Sequence, residues 1–496
     1  MKEVRLFTEK ALHAAESKGA QYADVRVIPF ECREEILVKN GRVEKLDYSE
    51  TQGFGIRLVC DGAWGFASSS KLDEREIHRQ VGRAIDIAKA SALTRERPVR
   101  LSKEKAVEHG YYKTSIIRDP FEVSLHEKVS LLLEADSAME KTSKKVKFRE
   151  GLLKFVKTEK VFASSEGTYI TQEIIQSGGG ISAKAVEGTE VQTRSYPKRD
   201  GNFAAMGYEF IEGMDIVSHA QRVASEAVQL LKAEDCPEKE TSVILYPSQL
   251  YLQIHESIGH PIEADRILGS EITYAGGSFI TGILDQLGSY RYASDIVRVV
   301  ADATQEGAFG TFGYDDEGVP AQRIDIIRDG VLVNLLTSRE SVNDLNHRLG
   351  KNHFKRSNGA SRASGWNRIP LIRMTNISLM PGSWVLEDLI SDTADGVILD
   401  TNVSWSIDDE RMNFSFGTEI GWKIKEGKVI RPLKNPMYMG LTPVFWQSCD
   451  AICSEAYFGW YGTPSCGKGQ PGQAMNVGHG CSPARFRNVN VRSRKK

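Results

Sequence analysis

The sequence predicts an α+β protein: a mixed sheet-and-helix region over residues 1–236, then a β-rich, antiparallel, barrel-like catalytic region over residues 241–496. Three observations predict it. Amphipathic helices alternate with period-2 strands through the first half. Hairpin-type turn pairs recur along the chain, at Asn40-Gly41, Asp61-Gly62, Asp329-Gly330 and Glu426-Gly427. Short strands dominate the second half, which suits a hairpin-built sheet better than a βαβ repeat. A chain of 496 residues also exceeds one ordinary core, so two or three units are expected.

The elements follow in order. A first helix runs to about Ser17, with Ala11, Ala14 and Ala15 on its apolar side. Strands are expected over 24–29, 35–38 and, beyond the Asn40-Gly41 turn, 43–46; two more, over 55–59 and 64–67, flank Asp61-Gly62. Ile77, Val81, Ala84, Ile85 and Ala88 recur at helical spacing within 72–92. The charged, aperiodic stretch 104–114 reads as a long loop or linker, a point where the first region could divide into two subdomains. A helix over 124–141, strands over 148–155, 161–163, 169–175 and 180–185, and a long helix over 214–231 complete this half. Ser177-Gly178-Gly179-Gly180 has no Lys-Ser/Thr pair after it, so it reads as a flexible strand edge and not a phosphate loop. The polar run 234–240 marks the boundary. Beyond it, a buried-type strand over 242–246 leads into a helix from Pro247, with Ser248 as N-cap.

Composition narrows the function. Hydrophobic residues make up 41% and charged residues 26%, as in soluble globular proteins, and a net charge of −2 gives no field for nucleic acid or anionic membrane. The basic end, 492–496, reads as a solvated tail. No run approaches the ~20 apolar residues of a membrane span, and charges interrupt every stretch near Met1 that could serve as a signal sequence. Seven cysteines, an odd number, point to reduced thiols and a cytoplasmic location. Cys449, Cys453, Cys466 and Cys481 lack the paired knuckles of a structural zinc ribbon.

The chemistry concentrates in His255-Glu256-Ser257-Ile258-Gly259-His260. Two imidazoles bracket a carboxylate, one residue farther apart than in the H-E-x-x-H of zinc peptidases. On a regular α-helix five residues advance by about 500°, which leaves the two rings roughly 140° apart. A π-type turn, at about 4.4 residues per turn, brings them back together. Gly259 lowers the cost of such a distortion, and Pro261 is expected to push His260 out of the αR region.

Catalytic zinc usually has three protein ligands. Nearby donors are Glu263 and Asp265; distant ones are Cys466, His479 and Cys481. Flanking glycine and Lys468 favour Cys466 as an accessible thiolate, yet spacing alone leaves it equally readable as an ordinary loop thiol.

His255-Glu256-x-x-x-His260 with the following Pro261-Ile262-Glu263-Ala264-Asp265 resembles the signature of the TldD/PmbA metallopeptidases, in their active TldD branch. Gly53-Phe54-Gly55-Ile56-Arg57, Gly62-Ala63-Trp64-Gly65, Phe312-Gly313-Tyr314-Asp315-Asp316-Glu317-Gly318, Arg373-Met374-Thr375-Asn376 and Cys466-Gly467-Lys468-Gly469-Gln470 resemble other family blocks, in the family's order. The resemblance implies a metallopeptidase with one Zn2+ per chain, held by His255, His260 and Cys466, with Glu256 activating water. It also implies a dimer, of identical chains or with a TldE/PmbA-like sister. Pro261 stands where several relatives have glycine. The expected substrate is an extended peptide or unfolded protein, bound by strand addition; a non-peptide amide hydrolase and a peptide-binding partner subunit are the alternatives.

Outside the metal motif, Asp315-Asp316-Glu317 reads in isolation as a solvated turn, and Arg373-Met374-Thr375-Asn376 as a strand with Met374 in the core. The resemblance moves Asp315, Asp316, Thr375 and Asn376 toward a substrate cleft, in positioning roles. His347 and His353 read as surface histidines.

Overall fold

Very long strands organise the first half. In this computed structural model, which describes residues 2–272 and 276–494, Tyr22–Lys39 and Arg42–Cys60 form one hairpin and Val146–Ser164 and Tyr169–Glu187 another. The two hairpins pair through Tyr22–Lys39 and Val146–Ser164. Ala63–Ser69 and Gly110–Lys113 flank them, and Glu190–Tyr196 and Asn202–Ala204 add to Tyr169–Glu187. Leu153, Phe155 and Val161 have one parity on a stretch without a register break, so a single sheet face serves two successive helix pairs. Lys2–Ser17 and Glu74–Ala92 cover the end that includes Val161, Val25 and Ile56. Leu125–Thr142 and Ile216–Leu230 cover the end that includes Leu153, Phe155 and Ile36.

The second half closes on itself. Lys239–Leu245, Asp395–Ile407, Asn413–Lys425, Pro436–Leu441 and Ala484–Ser493 pair in a ring of five, the first two parallel and the others antiparallel. This is the expected barrel, with one parallel pair. Closure removes the open edges that such short strands would otherwise present. Around it lie a four-stranded sheet through Val299–Asp302 and a two-stranded hairpin, Gly459–Lys468 with Gln473–Cys481. Buried charges join the halves: Lys160 and Arg26 meet Asp316, Arg57 bridges Asp24 and Glu317, and Arg194 meets Asp400 and Glu419.

Several local expectations are corrected. The strands expected over 24–29 and 35–38 are one strand; an extra residue between Ile28 and Glu31 bulges it where Pro29 has no N–H to give. The stretch 104–114 contains a strand, Gly110–Lys113, which pairs in parallel with Tyr169–Glu187. Ser177-Gly178-Gly179-Gly180 lies inside a strand paired on both sides, because Phe203 packs where a Cβ on Gly178 would sit. The long helix is broken at Asp215, which adopts φ 46°. Glu234–Asp235, in the polar boundary, pairs with Leu433 and Lys434. The tail's Arg492 and Ser493 pair with Met437 and Pro436, while Lys495 and Lys496 lie outside the described residues, as does Met1. No helix of the described residues is long and apolar enough to cross a membrane.

Candidate active site

The site helix, Pro247–Ile254, leaves the barrel strand Lys239–Leu245 directly. Pro247 occupies its first turn and Tyr246 is the N-cap; Ser248 does not cap, because its hydroxyl is spent on Asp400 and on the Thr401 N–H. The helix then widens into a π-turn over His255–Gly259, closed by the His260 N–H donating to the His255 carbonyl at 3.1 Å. The two imidazoles converge accordingly, with ring centroids 4.8 Å apart. His260 stays in the αR region at φ −69° and ψ −42°, against expectation. Pro261 removes one N–H from the ladder, but the Ser257 carbonyl it would have met accepts from the Tyr292 hydroxyl instead, and the Ile262 N–H resumes the bonding to Ile258.

Packing holds the turn. A Cβ on Gly259 would stand 2.1 Å from Met374 Sδ, so any larger residue would have to displace the buried Met374 side chain. Ser257 Oγ accepts from Gln253 Nε2 at 3.0 Å and Trp446 Nε1 at 2.9 Å, and Tyr438 donates to Gln253 Oε1 at 2.9 Å. These buried side chains are satisfied by one another, which fixes a single geometry.

Cys466 arrives on the tail hairpin. Its Sγ lies 3.6 Å from His260 Nε2, and the ligand atoms of His255, His260 and Cys466 fall within 4.8 Å of one another, all buried. Among the described residues this is the one cluster of histidine, cysteine and carboxylate groups with metal-ligand spacing; Cys449, Cys453 and Cys481 take no part. The outer nitrogens of the imidazoles are engaged as well. His260 Nδ1 sits 3.0 Å from Glu263 Oε2, which also accepts from Arg266 Nε at 2.7 Å and lies 3.3 Å from Lys468 Nζ. His255 Nδ1 sits 2.8 Å from His479 Nε2. Glu263 and His479, both rivals for the third ligand position, thus stand behind the histidines.

Electrostatics favour the ligating forms. Burial pushes His255 down to about 4 and lowers His260, which disfavours the imidazolium forms. Burial opposes the Cys466 thiolate, but His260 and Arg373 outweigh it and hold the thiol below its usual range. Burial likewise opposes the Glu263 carboxylate, and Lys468, His260 and Arg266 overcome it. Glu256 Oε2 accepts from Arg411 Nη1 at 3.2 Å, while its Oε1 has no hydrogen-bond partner among the described residues.

The remaining expected site residues lie elsewhere. A cavity of about 880 Å3 runs between the two halves, and Arg26, Glu31, Lys160, Asp316, Arg362 and Ser465 are in its wall. Asp315 and Asp316 line it as well, yet they are buried and engaged: Asp315 accepts from the Glu317, Val319 and Ser361 N–H groups, Asp316 from Lys160 and the Ala363 N–H. The solvated turn read there in isolation is therefore a buried joint between the halves. Thr375 and Asn376 do not line this cavity. The Asn376 amide is consumed by the Gly310 N–H, the Asp302 carbonyl and Thr311, and the Thr375 carbonyl accepts the Gly478 N–H at 3.0 Å. Sequence reasoning missed Arg411, which sits in a hairpin tip with no local signal. Glu263 was expected only as a possible metal donor; its i,i+3 spacing from His260 is the signal that could have marked it as that ring's partner.

Comparison with known proteins fits this geometry. A model of the PmbA/TldA metallopeptidase C-terminal domain matches residues 238–493, domain 1 matches 31–92, and the central domain matches 118–233. The chain belongs to the PmbA/TldA metallopeptidase family. As a PmbA/TldA metallopeptidase it is a peptide-bond hydrolase. It is 31% identical over 461 residues to a metalloprotease of Methanocaldococcus jannaschii, covering 92% of this chain and 94% of that protein. A zinc metalloprotease TldD homolog of Saccharolobus solfataricus is 22% identical over 475 residues, covering 95% of this chain and 96% of its own length. The crystal structure of TldE from Thermococcus kodakarensis has the same fold, with a TM-score of 0.70 at 15% identity, covering 98% of this chain and 99% of that one.

Proposed function

We propose that this PmbA/TldA chain is a zinc-dependent peptidase of extended or unfolded peptides. In this reading His255, His260 and Cys466 hold one ion and Glu256 is the general base. The observation that supports it is the convergence of two imidazoles and a thiol within 4.8 Å, each buried. Two nitrogens and a sulfur suit zinc, and three protein ligands leave a position open. The name of the Saccharolobus solfataricus relative supports the same metal.

A zinc ion held there supplies Lewis-acid polarisation of a peptide carbonyl and acidifies water. The chain's own residues do the rest. Arg411 fixes Glu256 through Oε2, which leaves Oε1 to take the proton from attacking water and deliver it to the leaving amine. Glu263, clamped by Arg266 and Lys468, accepts the Nδ1 proton of His260 and so keeps Nε2 as the ligand atom.

Substrate form follows from the wall beside Cys466. The cavity reaches Pro464 and Ser465, and the outer edge of Gly459–Lys468 pairs with no strand among the described residues from Thr463 onward. Thr463 Oγ1 there is buried without a partner. An extended main chain could pair along that edge with little regard for side chains, whereas a folded protein could not. Asp315 and Asp316 shape the cavity wall, and Thr375 and Asn376 hold the strand opposite. Kinship in fold with TldE supports pairing with a second chain of this architecture, its own copy or a sister. Unpaired cysteines support a reducing, cytoplasmic setting.

The test compares cleavage of a denatured protein with its native form, before and after chelation and zinc return. Cleavage of the denatured form alone, lost on chelation and absent in Glu256→Gln, is expected. Chelator-resistant turnover would reject the reading.

A further inference from the structure

His479 is the most buried unexplained titratable group beside the site, at 0% exposure. Its strand packs unusually close. A Cβ on Gly478 would fall 2.1 Å from Asn376 Oδ1, and one on Gly480 would fall 2.4 Å from the Phe458 ring, so glycine on both sides lets the backbone seat the imidazole between strands. The segment Thr375-Asn376-Ile377 forms the other wall. The Thr375 carbonyl accepts the Gly478 N–H at 3.0 Å, and the Ile377 carbonyl lies 3.1 Å from His479 Nδ1.

These contacts leave one consistent proton arrangement. A carbonyl only accepts, so His479 Nδ1 must have the hydrogen. Nε2 is the nitrogen left to face His255, and it acts as the acceptor when His255 offers its own Nε2 to an ion and keeps its hydrogen on Nδ1. His479 Nε2 lies 2.8 Å from His255 Nδ1, which in that arrangement donates. His255 Nε2 is then the basic nitrogen, on the side where His260 and Cys466 converge.

We infer that His479 is a positioning residue of the metal centre, fixing the tautomer and orientation of His255 through a carbonyl–imidazole–imidazole chain anchored at Ile377. The inference rests on the proposed zinc site and adds a partner for its first histidine. His260 has an anionic support in Glu263, and His255 has a neutral one. The pairing limits the negative charge around the ion to Cys466 and nearby carboxylates already matched by Arg266, Lys468 and Arg411. It also gives Asn376 and Thr375 a role: they hold the strand that presents His479.

The test is zinc affinity of the purified full chain, measured by competition with a chromophoric chelator. His479→Leu is expected to bind zinc about 10- to 100-fold more weakly, with unchanged stoichiometry at saturation. His479→Gln is expected to recover most of that loss, since its amide can accept from His255 and donate to Ile377. With cobalt in place of zinc, thiolate-to-metal charge-transfer intensity per bound ion should match wild type in both variants, because no ligand is lost. Wild-type affinity in His479→Leu would overturn the inference. So would a changed cobalt spectrum, which would make His479 a ligand. Should His479→Leu fail to fold, His479→Gln decides alone: affinity within a few-fold of wild type supports the chain, and a loss beyond 100-fold overturns it. Wild-type protein that binds no zinc would instead sink the site reading itself.

Discussion

Gly259→Ala tests whether the π-turn is held by packing against Met374. The added Cβ would stand 2.1 Å from Met374 Sδ and 3.2 Å from its Cγ and Cε, where ordinary contacts begin near 3.4 Å. Met374 is fully buried, and its carbonyl accepts from Arg362 at 2.9 Å, so its backbone cannot retreat freely. Its neighbour Arg373 donates to the Cys466 carbonyl, which ties any displacement to the proposed third ligand. Overpacking of this kind costs about 1–3 kcal/mol. Thermal melts and zinc competition on Gly259→Ala, Met374→Ala and the double variant supply a coupling energy. Met374→Ala alone should cost about 2–5 kcal/mol as a cavity, and the double variant should be less destabilised than the sum of the two, with zinc affinity restored relative to Gly259→Ala. Strict additivity, or a Gly259→Ala protein with unchanged melting and zinc affinity, would refute the packing argument.

Other expectations follow from the charges. Burial raises Glu419 from 4.5 to about 7 even against Arg194, so the folded state keeps a proton that the unfolded chain has lost. Its stabilising contribution is fully present below about 4.5 and declines as pH rises through about 7, by at most roughly 3 kcal/mol; Glu419→Gln should flatten melting temperature against pH across that window, and an unchanged slope would reject the assignment. Arg411→Ala should lower kcat by about 10- to 100-fold with zinc content intact, since it removes a hydrogen bond to Glu256 and not a ligand, and Arg411→Lys should lose less; loss of zinc instead would reassign Arg411. Asp316→Asn leaves Lys160 and Arg26 with reduced compensation in a buried joint and should destabilise by up to about 3–5 kcal/mol; a near-neutral effect on urea unfolding would show that the joint is hydrated.

What the sequence revealed was local. The His255-to-His260 spacing pointed to the widened turn, because on a regular helix the two rings would stand roughly 140° apart, and the turn pairs at Asn40-Gly41 and Asp61-Gly62 place positive φ where the hairpins need it. Cys466 was ambiguous because its partner lies 206 residues away, a contact that only the tail hairpin creates. Its reading as a ligand came from resemblance to a family and not from spacing. The role of His479 was hidden for the same reason, since a histidine between glycines looks equally like a ligand or a loop residue until its two neighbours are known. Asp315-Asp316-Glu317 was misread as solvated because adjacent carboxylates are costly to bury; the cations that offset that cost, Lys160, Arg26 and Arg57, belong to the other half of the chain. Strand lengths were underestimated where a bulge at Pro29 interrupts alternation without ending the strand.

The most direct test of the central claim is zinc content per chain, by elemental analysis, for the wild type, Glu256→Gln and Cys466→Ser purified side by side. The account expects about one ion in the first two and a marked loss in the third, because a base can be removed without touching the ligands while a thiolate ligand cannot. A Cys466→Ser protein that keeps its full zinc would contradict it.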